Sequence, residues 1–247
     1  MNKKLERKVI AIIGATGGIG DPIASLCIKS GARVLLGSRR WPELRDLRDR
    51  IDPSGQNSLA EPTDASKAGE ITRLLLAGKK RFGKVDAVIV TVGTWRLTSV
   101  NTEVEEAGAA ARVLADSIIV PSWNAIFEAN RFLTEEGGII FNLSSHVTLD
   151  DEMKQENRLS GNIFYRAAKE AVENVVNSLR LVSPKIRFVN LQPATVDTPT
   201  NRREHPEVPE GDWTKAVQPA TIFDWIADHL DDPEITEEVY FPSGLTL

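Results

Sequence analysis

The chain of 247 residues carries 35 acidic and 30 basic side chains, a net charge of −5, and 41% hydrophobic residues, enough to core one large α/β domain. Its charges are interspersed rather than massed into a basic block, which excludes the usual signatures of a nucleic-acid groove or an anionic membrane surface. Cys27 is the only cysteine, so no internal disulfide forms, and the charged start leads into an apolar run, "VIAIIG", too brief for a signal core or a membrane span; a cytoplasmic protein is expected.

In chain order, "KVIAIIGATGGIG" is a β-branched run ending in glycines, which suits a strand buried on both faces, and "DPIASLCIKSGA" continues with apolar residues at helical spacing. "RVLLGSRR" reads as a second buried strand, "PELRDLRDRI" as a charged amphipathic helix, and "SLAEPTDAS" as a short strand leading to a helix cap. A helix follows near 66 to 81, then the strand "VDAVIVTVG", a long helical region from about 103 to 131, and the strand "GGIIFNLSS". After a loop comes a helix containing "FYRAAKEAV"; "KIRFVNLQPA" and "EVYFPSG" supply two more strands around a helix at about 219 to 230. About seven strands alternating with helices imply a Rossmann-type doubly wound parallel sheet in a single domain over residues 1–247, because parallel neighbours require crossover helices. Two long irregular stretches, 146 to 163 and 197 to 214, are the expected substrate loops.

In "GATGGIG", the glycines Gly14, Gly17, Gly18 and Gly20, with Thr16 and Ile19 between them, lie where a strand passes into a helix. Backbone amides there approach a pyrophosphate without a Cβ in the way, although a tight strand-to-helix connection has the same composition. Asp21 brings a negative charge to this helix start and must point outward for a phosphate to bind. The second strand ends in Ser38, Arg39 and Arg40 rather than in a carboxylate. Arginines there suit the 2′-phosphate of NADP(H), whereas two solvated arginines pairing with Glu43 are the alternative.

Tyr165 and Lys169 stand four apart, so in a helix they share one face. A phenol titrates near ~10, and an ammonium about one turn away is expected to favour the phenolate and make the tyrosine a usable acid or base. Any Tyr-x-x-x-Lys also arises by chance on a helix surface, so the spacing gains meaning only from its surroundings.

With these segments placed, the chain resembles the short-chain dehydrogenase/reductase family almost from end to end. The resemblance rests on "GATGGIG", on Thr91-Val92-Gly93 in the slot of an Asn-Ala-Gly, on "NLSS" at a strand end, on Tyr165 with Lys169, and on "QPATVDTP". It implies that Ser145 hydrogen-bonds the substrate oxygen, Tyr165 acts as acid or base, and Lys169 binds the cofactor ribose, with no metal. It further implies that Thr198 holds the nicotinamide carboxamide beside Val196, that Thr63 and Asp64 fall near the adenine, and that Pro193-Ala194 replaces a Pro-Gly. The catalytic asparagine of the family has no clear counterpart; Ser117 falls nearest its place and Asn124 fits less well. The interval from Ser145 to Tyr165 is longer than usual, which leaves Ser144 as an alternative.

The substrate expected from the resemblance is a small carbonyl or alcohol, lying near Trp95, Arg96, His146 and Trp213, any of which also fits lid packing. The broad apolar band of the Tyr165 helix, including Ala167, Ala171 and Val175, points to a homodimer or homotetramer, against a monomer with a generously apolar helix. A non-catalytic sensor of NADP(H), with the same fold and no turnover, is the alternative function.

Overall fold

The computed structural model describes residues 4–95, 103–146 and 163–245. Seven parallel strands form one sheet in the order β3-β2-β1-β4-β5-β6-β7: β1 Val9–Ile13, β2 Arg33–Ser38, β3 Ser58–Pro62, β4 Ala87–Val90, β5 Gly138–Leu143, β6 Ile186–Pro193 and β7 Glu238–Phe241. This is the Rossmann-type arrangement expected from the alternation of strands and helices. The crossover helices are α1 Gly20–Lys29, α2 Trp41–Ile51, α3 Ala68–Phe82, α4 Val104–Leu114, α5 Val120–Leu133, α6 Ile163–Val182, α7 Pro199–Glu204 and α8 Pro219–His229.

Strand β1 is buried at all five residues because helices cover both faces of the sheet. On one face Ile10, Ile12, Phe141, Val189 and Leu191 pack with Ile23 of α1 and Ile222 and Ile226 of α8. On the other, Val9, Ala11, Val88, Ile140 and Phe188 pack with Leu74 of α3, Ile126 of α5 and Val172 and Val176 of α6. Strand order reverses between β1 and β4, and at such a switch the loops diverge to opposite faces and leave a crevice outside the strand ends.

Two regions differ from the sequence expectation. The long central helix is interrupted: between α4 and α5, Ala115–Ile119 forms a π-turn, closed by the Val120 amide donating to the Ala115 carbonyl. The stretch 197 to 214 is not irregular, for it holds α7 and a 3-10 turn, Glu210–Lys215. Apolar periodicity misses both, because one is a single extra residue and the other is too short to show a period. Most of the expected 146 to 163 loop, residues 147–162, lies outside the described residues.

Candidate active site at the carboxyl edge of the sheet

The glycine turn is built from contacts that leave no space for side chains. Gly14 has φ +97, and its amide and that of Ala15 both donate to the Gly37 carbonyl at 2.9 and 3.1 Å, which ties the turn to β2. A Cβ on Gly20 would stand 2.3 Å from the Gly14 carbonyl oxygen, and one on Gly18 would stand 2.9 Å from Cβ of Thr198. The start of α1, where amides lack intrahelical acceptors, is therefore approached by bare backbone, a cradle that fits a dinucleotide pyrophosphate. Asp21 does point away: both of its carboxylate oxygens accept from Arg50 of α2, at 2.7 and 2.6 Å.

Beside the cradle, the hydroxyls of Thr16 and Ser38 are 2.6 Å apart, joining the glycine turn to the end of β2. Arg40 lies 3.3 Å from Glu43, the pairing weighed as an alternative, whereas Arg39 is exposed and forms no ion pair among the described residues. Thr63 is buried, its hydroxyl donating to the Glu61 carbonyl at 2.9 Å. Asp64 turns its carboxylate to the Ser66 amide and hydroxyl; burial raises its pKa, but those bonds and the charges of Lys67 and Arg39 leave it below the usual range. Asn124 donates to the Ala65 carbonyl at 3.0 Å, so its amide fastens α5 to this loop.

The second half of the site gathers at the ends of β4, β5 and β6. Thr91 donates to the carbonyls of Ile13 and Gly14, at 3.1 and 3.2 Å, and Val92 packs on the core beneath. Gly93 (φ +139) lies so close to the central elements that a Cβ there would be 3.5 Å from Cγ1 of Ile118 and 3.8 Å from Nζ of Lys169. The Ser145 hydroxyl hydrogen-bonds the Tyr165 phenol, whereas the Ser144 hydroxyl is buried with no partner among the described residues. Lys169 sits under the tyrosine, Nζ 5.7 Å from the ring centroid, and donates to the Leu143 carbonyl at 2.9 Å. Ser117, in the π-turn next to Ile118, also has a buried hydroxyl without a partner among the described residues.

The electrostatics depart from the sequence expectation. Burial pushes the Tyr165 phenol up to about 12, only partly opposed by the Ser145 bond, instead of the lowering expected from the nearby ammonium. Burial likewise brings Lys169 down to about 8, against which the Glu173 carboxylate acts. Low dielectric around the pair outweighs its mutual influence.

Beyond β6, Ala194 donates to the Phe241 carbonyl at 3.0 Å, following Pro193 at the strand end. The Thr198 hydroxyl caps α7 by accepting from the Asn201 amide at 3.1 Å, and the Val196 carbonyl accepts from the Asn201 side chain at 2.7 Å. Trp95 and His205 face each other with ring centroids 6.0 Å apart, and the His146 and Tyr240 rings are 6.5 Å apart. Trp213 is buried, with the Arg202 guanidinium 5.7 Å from its ring centroid, so its surface is taken up by packing. Arg96 lies outside the described residues. No group of three His, Cys, Asp or Glu side chains able to hold a metal occurs among the described residues. One contributor escapes a reading of the sequence: Glu173 resembles any exposed helix charge, and only its fall on the face of Lys169, Val172 and Val176 hints at burial.

A glycine cradle at the switch of a seven-stranded parallel sheet, facing a Ser-Tyr-Lys cluster, is matched in sequence by the family described as short chain dehydrogenase over residues 8–209. The chain belongs to the short-chain dehydrogenase family. It is 26% identical over 257 aligned positions to an uncharacterised oxidoreductase of Listeria innocua, covering 98% of each chain, and 28% identical to one of Staphylococcus haemolyticus, covering 93% and 94%. A short-chain dehydrogenase/reductase structure from Brucella melitensis, described as glucose/ribitol dehydrogenase, superposes with a TM-score of 0.83 over all of both chains at 21% identity, which shows the shared fold. As a short-chain dehydrogenase the chain is an oxidoreductase of the nicotinamide-dependent kind.

Proposed function

We propose that the protein is an NADP(H)-dependent oxidoreductase that interconverts a small carbonyl compound and its alcohol, with Tyr165 as the acid and base. The observation that carries this reading is the hydrogen bond from Ser145 to Tyr165 directly above the buried Lys169, at the strand ends that face the glycine cradle. The bound nicotinamide supplies or accepts the hydride. Gly14, Thr16, Gly17, Gly18, Ile19 and Gly20 hold its pyrophosphate; Thr91, Val92, Gly93, Pro193, Ala194, Val196 and Thr198 line the nicotinamide side, and Thr63 and Asp64 the adenine side.

In the reducing direction Tyr165 delivers its proton to the developing alkoxide, and Ser145 donates a hydrogen bond to the same oxygen. A phenol held near 12 is fully protonated at neutral pH, so the resting tyrosine is already the acid. Lys169 lies below the ring as an ammonium that stabilises the tyrosinate left behind and reaches the cofactor ribose. Ser117 takes the place of the family's asparagine, its unpartnered hydroxyl available to hold a water on the proton path. Preference for the 2′-phosphate is supported by Ser38, Arg39 and Arg40 following one another at the end of β2, with Arg39 exposed and free of an ion pair among the described residues while Arg40 faces Glu43.

A homodimer or homotetramer is the second part of the proposal. It is supported by Val113, Val120, Trp123 and Phe127, large apolar side chains exposed along α4, the π-turn border and α5, more than by the α6 band, most of which is spent on the core. The rival reading, a sensor that binds NADP(H) without turnover, draws on Ser117 in place of asparagine.

Titration with NADPH and NADH by cofactor fluorescence, then a panel of ketones, separates these. The expected result is tighter binding of NADPH, turnover of at least one carbonyl, and a Tyr165→Phe variant that binds cofactor normally and loses reduction. Tight NADPH binding with no turnover of any substrate favours the sensor.

A further inference from the structure

The buried polar groups of the sheet are concentrated under α6. Asn142 and Ser144 of the β5 end and Asn190 and Gln192 of β6 all point to that face, and each is almost completely buried. Asn142 donates to the Asn190 side-chain oxygen at 2.9 Å. Gln192, 1% exposed, donates to Oε1 of Glu173 at 2.9 Å, and Glu173 is itself 8% exposed. Residues 169 and 173 are one helical turn apart on a single face, so the carboxylate follows directly behind the ammonium.

A buried carboxylate is costly unless something charged and something that donates hydrogen bonds compensate it. Gln192 supplies the donor, and Lys169 and Arg180 the charge. We propose that Glu173 is a positioning residue for Lys169: fixed from β6 by Gln192, it keeps the lysine cationic and aimed at the end of β5, where the tyrosine needs it. The inference rests on the assignment of Tyr165 and Lys169 made above.

The surroundings leave few other groups to do this. On the same helix Arg180 interacts with Glu173 and also with Glu237 and Glu238 at the start of β7. From β5 and β6 come only neutral side chains, Asn142, Ser144, Asn190 and Gln192, and α4 and the π-turn contribute Leu114 and Ile118 to the apolar cluster around Ala168 and Val172. Among the described residues Glu173 is the one charge that acts on Lys169 against the effect of its burial, and with both acting the lysine stands at about 8.

The test follows the lysine directly, without substrate. In protein labelled with 13Cε-lysine, the Lys169 resonance is assigned by its loss in Lys169→Arg and titrated from pH 6 to 10. The wild-type midpoint is expected near about 8, and Glu173→Gln is expected to lower it by about one unit, a tenfold loss of proton affinity. Glu173→Asp should restore most of the difference. Should Glu173→Gln fail to fold by circular dichroism, Gln192→Leu, which keeps both charges and removes the clamp, is expected to move the midpoint the same way by a smaller amount. A midpoint unchanged in the folded variants overturns the proposal and leaves Glu173 a structural partner of Gln192. NADPH binding and ketone turnover are measured on the same samples. Loss of both in the wild type would refute the functional reading, while the Lys169 titration would still decide the role of Glu173.

Discussion

Gly20 carries the severest steric demand of the nucleotide turn, because the atom a side chain would strike, the Gly14 carbonyl oxygen, belongs to the backbone and cannot rotate away. Gly20→Ala is expected to weaken cofactor binding at least tenfold and to cost about 2 kcal/mol of stability in urea unfolding, as overpacking against backbone does. Gly69, near the start of α3, has nothing within 4 Å of its Cβ direction, so Gly69→Ala should be neutral or stabilise by about 0.5 kcal/mol. Composition alone marks both positions as glycine; the neighbour 2.3 Å away distinguishes them, and that neighbour is set by the fold. The same limit explains the tyrosine: its spacing to Lys169 is visible in the chain, but the burial that raises the phenol rather than lowering it is a property of tertiary packing.

At the scale of elements, the segment after β6 has one arginine at the centre of its side-chain anchors. Arg202 of α7 donates to both oxygens of Asp197, at 2.6 and 2.9 Å, pairs with Glu210, and lies 5.7 Å over the ring of the buried Trp213. Arg202→Ala is therefore expected to raise amide exchange and proteolytic cutting within 197 to 215 while the rest of the sheet stays protected. The hydrogen bond from Arg202 holds the Asp197 carboxyl below the ordinary carboxylate range. A depressed acid contributes stability above its unfolded pKa, near ~4, and loses it as pH falls through the lower folded value. The gap in exchange between wild type and Arg202→Ala should thus be full at neutral pH and close below about pH 4. The chain discloses little of this strap, because a six-residue helix has no period and its anchors are side-chain pairs that form only once the segment folds back.

Across the whole molecule the position is reversed. β-branched runs as short as "VIAII" suit strands buried on both faces, and their alternation with amphipathic helices leaves little but a doubly wound sheet. That is why the architecture is legible from composition and order, whereas the candidate Ser-Tyr-Lys cluster needed the family resemblance and Glu173 needed coordinates. Association belongs to this scale as well. Replacing Trp123 and Phe127 together by glutamate should halve the mass measured by light scattering, from dimer to one chain or from tetramer to dimer, with helicity unchanged; an unchanged mass would rule this face out as the interface. The π-turn, finally, is a matter of chain length. An unbroken α-helix from α4 into α5 would have one residue fewer but would hold Pro121 in its interior, with no amide hydrogen to donate and its ring against the carbonyl four residues back, so deleting Ser117 should keep the flanking helices in register and lower stability by about 3 kcal/mol in urea unfolding. The shorter chain would also lack the buried hydroxyl beside Ile118, so a turn that the proline requires of the helix is at the same time what seats Ser117 there.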